Sequence, residues 1–297
     1  MIRRLLLLCL LVAARAFGQE LEPGAYSPAP VGMNIAVVAV TFNTGELAFD
    51  PSGPISNASA DIWVTALAYV RTLPVAGRSS SLSLALPYAR GPLEGEFLGQ
   101  QQNITRSGLA DPRLRFAINL LGGPALAPRA FATTPPARTT LGASLVVSPP
   151  LGQYDSDRLI NIGTNRWSFK PELGVRRTIG KWTLEGAFGA WFYTDNNDFY
   201  KGGHRSQAPL SSLQWHVIYT FKPRCWLALD ANYYNGGRTT LNGKESQDLQ
   251  RNSRVGLTFA LPIDRQQSVK FTYNRGAITN IGANFNSFGL AWQYAWQ

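Results

Sequence analysis

The stretch that most constrains this chain is its last one, Asn286 to Trp296. Phe288, Leu290, Trp292, Tyr294 and Trp296 alternate there with Ser287, Gly289, Ala291, Gln293 and Ala295, almost to the C-terminus. A period of two belongs to a strand, whose successive side chains point to opposite faces; a helix would repeat every 3.6 residues. One face is large and apolar, the other small or polar. Two kinds of fold satisfy such a strand: a soluble one with the large residues packed inside, or a barrel in lipid with them outside and aromatics at the strand ends.

The N-terminus bears on the compartment. Arg3 and Arg4 precede the apolar run Leu5 to Ala14, and small residues follow at Ala14, Ala16 and Gly18, the layout of a secretory leader spanning 1–18. Cys9 sits inside the apolar run without the small residues that precede a lipidated cysteine. With it removed only Cys225 remains, and a single cysteine forms no internal disulfide, so a disulfide-stapled secreted domain is excluded. No stretch after the leader approaches the roughly 18 apolar residues of a spanning helix. Charged residues make up only 15% of the chain, against roughly 25% in soluble proteins, which points to missing water-facing surface. Loss of Arg3, Arg4 and Arg15 with the leader lowers Lys+Arg from 28 to 25 against 18 acids, a formal charge of +7. These bases are dispersed, with no basic helix or finger spacing, so no nucleic-acid partner is expected.

Residues 19–32 contain Pro23, Pro28 and Pro30 and read as an irregular lead-in, followed by a barrel over 33–297. Strand-like runs then recur at 33–42, 62–71, 79–90, 109–121, 138–148, 165–178, 182–194, 208–221, 226–234, 251–261, 268–274 and 285–296. Their connections alternate between tight turns, as at Gly180 and Pro223, and long polar loops, as around Gln101, Asp157, Asn197 and Lys244. The long connection 122–137 breaks the alternation. About twelve strands with both ends on one side predict an all-β fold, a closed antiparallel transmembrane β-barrel with long extracellular loops and short periplasmic turns. Such closure removes the unpaired edges that lipid would not tolerate. One-sided apolar rows such as Leu82/Leu84/Leu86/Tyr88, Leu213/Trp215/Val217/Tyr219/Phe221 and Val255/Leu257/Phe259/Leu261 face lipid in this reading.

Three segments carry a resemblance: Glu22 to Gly32; Pro150 to Asp155 continuing through Leu159 to Trp167; and Asn232-Tyr233-Tyr234-Asn235-Gly236-Gly237-Arg238-Thr239-Thr240. In these the chain resembles the bacterial outer-membrane β-barrel family of phenol meta-pathway degradation transporters, over essentially the whole mature chain. The resemblance implies a Gram-negative outer-membrane location and passage of aromatic compounds. One departure is the ending Trp296-Gln297, where an outer-membrane strand usually ends on the aromatic itself. The C-terminal strand is the expected signal for the outer-membrane assembly machinery.

Little in the sequence supports catalysis. His204 lies in the loop Lys201-Gly202-Gly203-His204-Arg205 with Ser206 nearby, and His216 shares a polar strand face with Gln214 and Thr220. An outer-membrane hydrolase needs serine and histidine together, and a loop histidine is more often solvated. No Cys/His cluster offers a metal site, and no glycine-rich phosphate loop or nucleophile elbow occurs, so neither enzyme nor cofactor is expected. The acids Asp155/Asp157 and Asp195/Asp198 offer oxygen ligands to a hard cation, or equally suit turns that also meet cations bound to lipopolysaccharide.

If the apolar rows face lipid, Arg113, Arg115, Arg166, Lys170, Glu172, Arg176, Glu185, Asp230, Arg254 and Lys270 face the lumen. Charges of both signs allow either pairing across the lumen or a role toward a solute, and the basic surplus would favour anions, including aromatic carboxylates. Arg113 and Arg115, two residues apart on one strand, stand about 6–7 Å from one another along the wall and raise the local potential together. Two functions fit: an outer-membrane channel or transporter for small, aromatic or otherwise hydrophobic solutes, or a structural or adhesive barrel with a closed lumen that acts through its loops.

Overall fold

A computed structural model describes residues 22–51 and 55–297; the leader expected at 1–18 lies outside them. Along the chain come β1 (Asn34–Ala48), β2 (Ile55–Val75), β3 (Arg78–Phe97), β4 (Gln100–Leu109), β5 (Arg113–Leu121), the helix α1 (Pro128–Thr133), β6 (Thr139–Ser148), β7 (Ser168–Ile179) and β8 (Trp182–Tyr193). There follow β9 (Asn196–Phe199), β10 (Gly203–Gln207), β11 (Leu210–Lys222), β12 (Cys225–Gly236), β13 (Thr239–Leu241), β14 (Lys244–Glu245), β15 (Gln250–Pro262), β16 (Gln267–Ile278) and β17 (Gly282–Trp296). Twelve of these close into an antiparallel barrel, sealed by β1 lying between β2 and β17. Asn34 pairs with Trp296, so the alternation at the C-terminus is one side of the seam.

The side chains are turned inside out relative to a soluble barrel. Leu257, Trp215, Leu229 and Phe188 are exposed at 43%, 45%, 60% and 57%, whereas Thr258, Gln214, Asp230 and Asn232 are buried. Each row is one face of a pleated strand, so a single register sends apolar groups to lipid and polar groups to the lumen. Rings cluster near the strand ends: Trp182 against Tyr219 and Tyr294 against Trp296 at the turn end, Phe42 against Trp63 toward the other. Tight turns sit at the end expected to be periplasmic. The β2–β3 turn is only Ala76-Gly77, both with positive φ (48° and 70°), the conformation that matches the twist of a two-residue hairpin.

The strands outrun the sequence expectation at the outer end. Residues 91–108, expected to be a Gly- and Gln-rich loop, instead continue β3 and return as β4, and β1 and β2 reach well past 42 and 62. Gly91 sits there because a Cβ would overlap the Asp61 carbonyl of the neighbouring strand. The loops expected around Asn197 and Lys244 form a small sheet of β9, β10, β13 and β14. Loop 149–167 folds into the mouth, where Asp111 clamps it: its carboxylate accepts from Gly152 N at 2.8 Å, Thr164 N at 2.9 Å and Thr164 Oγ1 at 2.6 Å. The long connection 122–137 carries α1 and lies against the β2–β3 turn, with Ser79 N donating to Gly123 O and Ala125 N to Gly77 O.

The lead-in is not a free tail. Val31 N donates to Leu126 O and Gly32 N to Thr72 O, which bring the segment to the opening at the turn end of the barrel. It then runs into the barrel, where Tyr26 is buried against the walls of β6 and β7.

Candidate functional site: the lumen

Among the described residues, the polar interior shows an upper and a lower cavity. The upper, about 90 Å³, is lined by Arg113 of β5, Arg166 of the infolded loop and Arg205 of β10, together with Asp111, Trp191, Tyr193 and Gln207. Arg166 lies over the Tyr193 ring at 4.3 Å and donates to Gln207. Three guanidinium groups thus share this wall, and the Asp111 carboxylate beside them accepts three hydrogen bonds from the loop.

The lower cavity, about 20 Å³, surrounds the lead-in. Tyr26 donates to Glu172 Oε1 at 2.8 Å and meets Ser144 Oγ at 3.1 Å; Gly24 N donates to Glu185 Oε2 at 2.6 Å. The ring fits because β6 and β7 carry Gly142 and Gly174 there, where any Cβ would overlap it. Arg115 covers its other side at 5.5 Å. Glu172 is also held by Lys170 at 2.8 Å and by Gln214, and Glu185 by Arg176 at 3.0 Å. Further round, His216 Nδ1 lies 2.7 Å from Asp230 Oδ1, while Thr258 donates to Asp230 Oδ2 at 2.7 Å.

The ten residues read from the sequence as lumen-lining therefore separate into groups. Glu172, Glu185 and Asp230 are engaged with Lys170, Arg176 and His216. Arg254 binds the Phe285 carbonyl, Ser287 and Asn274. Lys270 is half-buried on the face of β16 opposite to exposed Phe271. Arg113 lines the upper cavity and Arg115 the lower one, beside Tyr26. Arg166 precedes β7 and does not lie on it as expected, although it is buried at 5%.

Tyr26 and Arg205 escaped the sequence reading. A Pro-rich lead-in and a glycine-flanked loop carry no period that would mark one side chain as buried. His204, the loop histidine, is exposed and meets Asp195 at 3.0 Å. Asp155 accepts from Asp157 N and pairs with Arg158, so it serves the turn. Among the described residues no group of three His, Cys, Asp or Glu is placed to hold a metal.

A closed barrel with an apolar belt and a charged, partly filled lumen has the architecture of an outer-membrane β-barrel. The chain belongs to the family described as "Putative MetA-pathway of phenol degradation", whose model matches residues 44–277. Its fold is similar to that of an outer-membrane channel from Pseudomonas putida F1, with 21% identity and a TM-score of 0.77 over 93% of this chain and all of that one. It is more distantly similar to the transport unit of the autotransporter AIDA-I from Escherichia coli, with 9% identity and a TM-score of 0.51 over 96% of this chain and 95% of that one. No curated protein matches the chain.

Proposed function

We propose that the protein is an outer-membrane channel for small anionic solutes, aromatic carboxylates among them, with the lead-in as its inner gate. One observation carries this: the upper cavity brings Arg113, Arg166 and Arg205 together, with Trp191 and Tyr193 beside them. In a lumen of low dielectric such a cluster attracts anions and repels cations. The indole and phenol rings offer apolar faces to a ring-bearing solute. The family's name, which ties it to phenol degradation, is consistent with that solute class.

A solute leaving the upper cavity toward the periplasm meets Tyr26, so conduction requires the lead-in to yield. Its hold consists of a few hydrogen bonds and one ring seated between glycines, which is strong enough to close the path and weak enough to release. Lipid and lipopolysaccharide surround the barrel in this reading, and the assembly machinery takes up the β17 strand. Reversal potentials of purified protein in planar bilayers under a salt gradient test the selectivity. Anion preference is expected, and it should fall when Arg113 and Arg166 are both changed to Ser. Cation preference, or no conductance even when residues 22–31 are removed, would leave the closed structural barrel as the better account.

A further inference from the structure

A third cavity, about 350 Å³, lies outside the lumen at the extracellular end, where β2, β3 and β4 rise beyond the barrel. Its wall is the inner face of that extension, with Ala58, Leu93, Phe97 and Ile104; the infolded loop and Tyr200 close the opposite side. Outward-facing Asp61 and Glu94 on the back of the same sheet are exposed, which places this level above the lipid. A cavity of this size is in the range of those that enclose small organic ligands.

Charge is distributed unequally along it: Glu94, Glu96 and Asp157 line it together with Arg106 and Arg158. Arg106 stands at the deep end, opposite Gly91, whereas Glu96 stands near the tip opposite Gln101. That separation is five residues, about 16 Å of strand. Glu96 is taken up by Ser56 and Asn57, and Glu94 by Asn103. Arg106 binds only carbonyls, Nε to Ile160 O at 3.0 Å and one terminal nitrogen to Thr105 O at 3.2 Å. Burial, and then the neighbouring positive charge of Arg158, make its cationic form less favourable than usual, although Asp155 partly offsets this. A further anion would relieve that.

The cavity also shares a wall with the lumen. Leu47, Phe49, Ala58 and Leu93, which line it, pack in one apolar cluster with Ala110 and Ile162, which line the upper lumen cavity. We propose that this outer cavity is a capture site for amphipathic anions, in which an aromatic ring system lies against Leu93 and Ile104 and its carboxylate reaches Arg106. The site deepens the channel reading by giving its solute a first stop, but it is judged by binding and not by conduction.

The test is equilibrium dialysis of the full barrel in a non-ionic detergent against 2-naphthoate and, separately, the uncharged 2-naphthamide. Naphthoate is expected to bind at least about tenfold more tightly than the amide, and Arg106→Gln to remove that difference while leaving amide binding in place. Ile104→Gln is expected to weaken both ligands. Heat-modifiable migration on gels verifies that each variant is folded. Equal affinity for the two ligands, or naphthoate binding that survives Arg106→Gln and disappears with Arg113→Ser, would overturn the site. So would a stoichiometric lipid acid extracted from the purified barrel that naphthoate fails to displace, since the cavity would then belong to the membrane. Loss of binding in Arg106→Gln with ion selectivity intact supports a site separate from the lumen. Absence of conduction with naphthoate binding intact counts against the channel reading alone.

Discussion

Replacing Tyr26 by Phe keeps the ring and removes its hydroxyl, together with the hydrogen bonds to Glu172 at 2.8 Å and to Ser144 at 3.1 Å. A hydrogen bond to a charged acceptor contributes about 1.5–3 kcal/mol. If seated and released lead-in are in equilibrium, that loss shifts the ratio toward release by roughly 10- to 150-fold. Gly174→Ala acts from the other side. Its Cβ would overlap the Tyr26 ring, and because β7 is fixed between β6 and β8 the ring must move. The two changes touch different atoms, yet both should raise single-channel open probability in planar bilayers, Gly174→Ala by more. Seated channels should remain otherwise unchanged in the Phe variant, since no lumen charge is altered. If both variants opened no more often than the unaltered protein, Tyr26 would be a structural pin and the lead-in no gate.

Other consequences are simpler to measure. Leu257→Arg, on the lipid face in the middle of β15, should cost about 2–4 kcal/mol in lipid refolding titrations, and Thr65→Arg beside the Trp63 girdle about 0–1 kcal/mol. Comparable costs would refute the assigned depths. Asp111→Asn leaves one acceptor oxygen where the loop needs two, so loop 149–167 should become accessible to protease in whole cells while the barrel itself stays intact. Cysteines introduced at Asn197 and Lys244 should react with an impermeant maleimide on intact cells and one at Gly180 should not; labelling at Gly180 would invert the topology.

The barrel was legible because lipid imposes its period on every strand. Such alternation does not depend on partners far away: Val255, Leu257 and Phe259 mark one face of β15 whatever lies beside it. The same logic failed where function needs a side chain off the period. Gly91 and Gly95 resemble loop residues in the sequence, yet they occupy inward positions of β3, where the neighbouring strand leaves no room for a Cβ at Gly91 and only a tight fit at Gly95. Gly142 and Gly174 appear as gaps in a strand face, and only Tyr26, more than a hundred residues away, explains them. The charges of the lumen were found by face, but their grouping was not. Which arginine faces which acid depends on the fold of loop 149–167 and of the lead-in, and neither carries a repeat.

The seam between β1 and β17 has a kinetic meaning. Asn34 and Trp296 are almost as far apart in sequence as this chain permits, so the last ladder to form carries the greatest loop-closure cost and the greatest sensitivity to delay. Until it forms, the wall is an open sheet with two bare edges. Tyr26 belongs to the segment just before β1, and its seat lies on β6 and β7, far from either edge. Docking it first would bring β1 across the curled sheet toward β17. A barrel that closes first would have to admit the same segment later through its periplasmic opening, so the order of these two events is written in the refolding rate of a Tyr26→Ala chain.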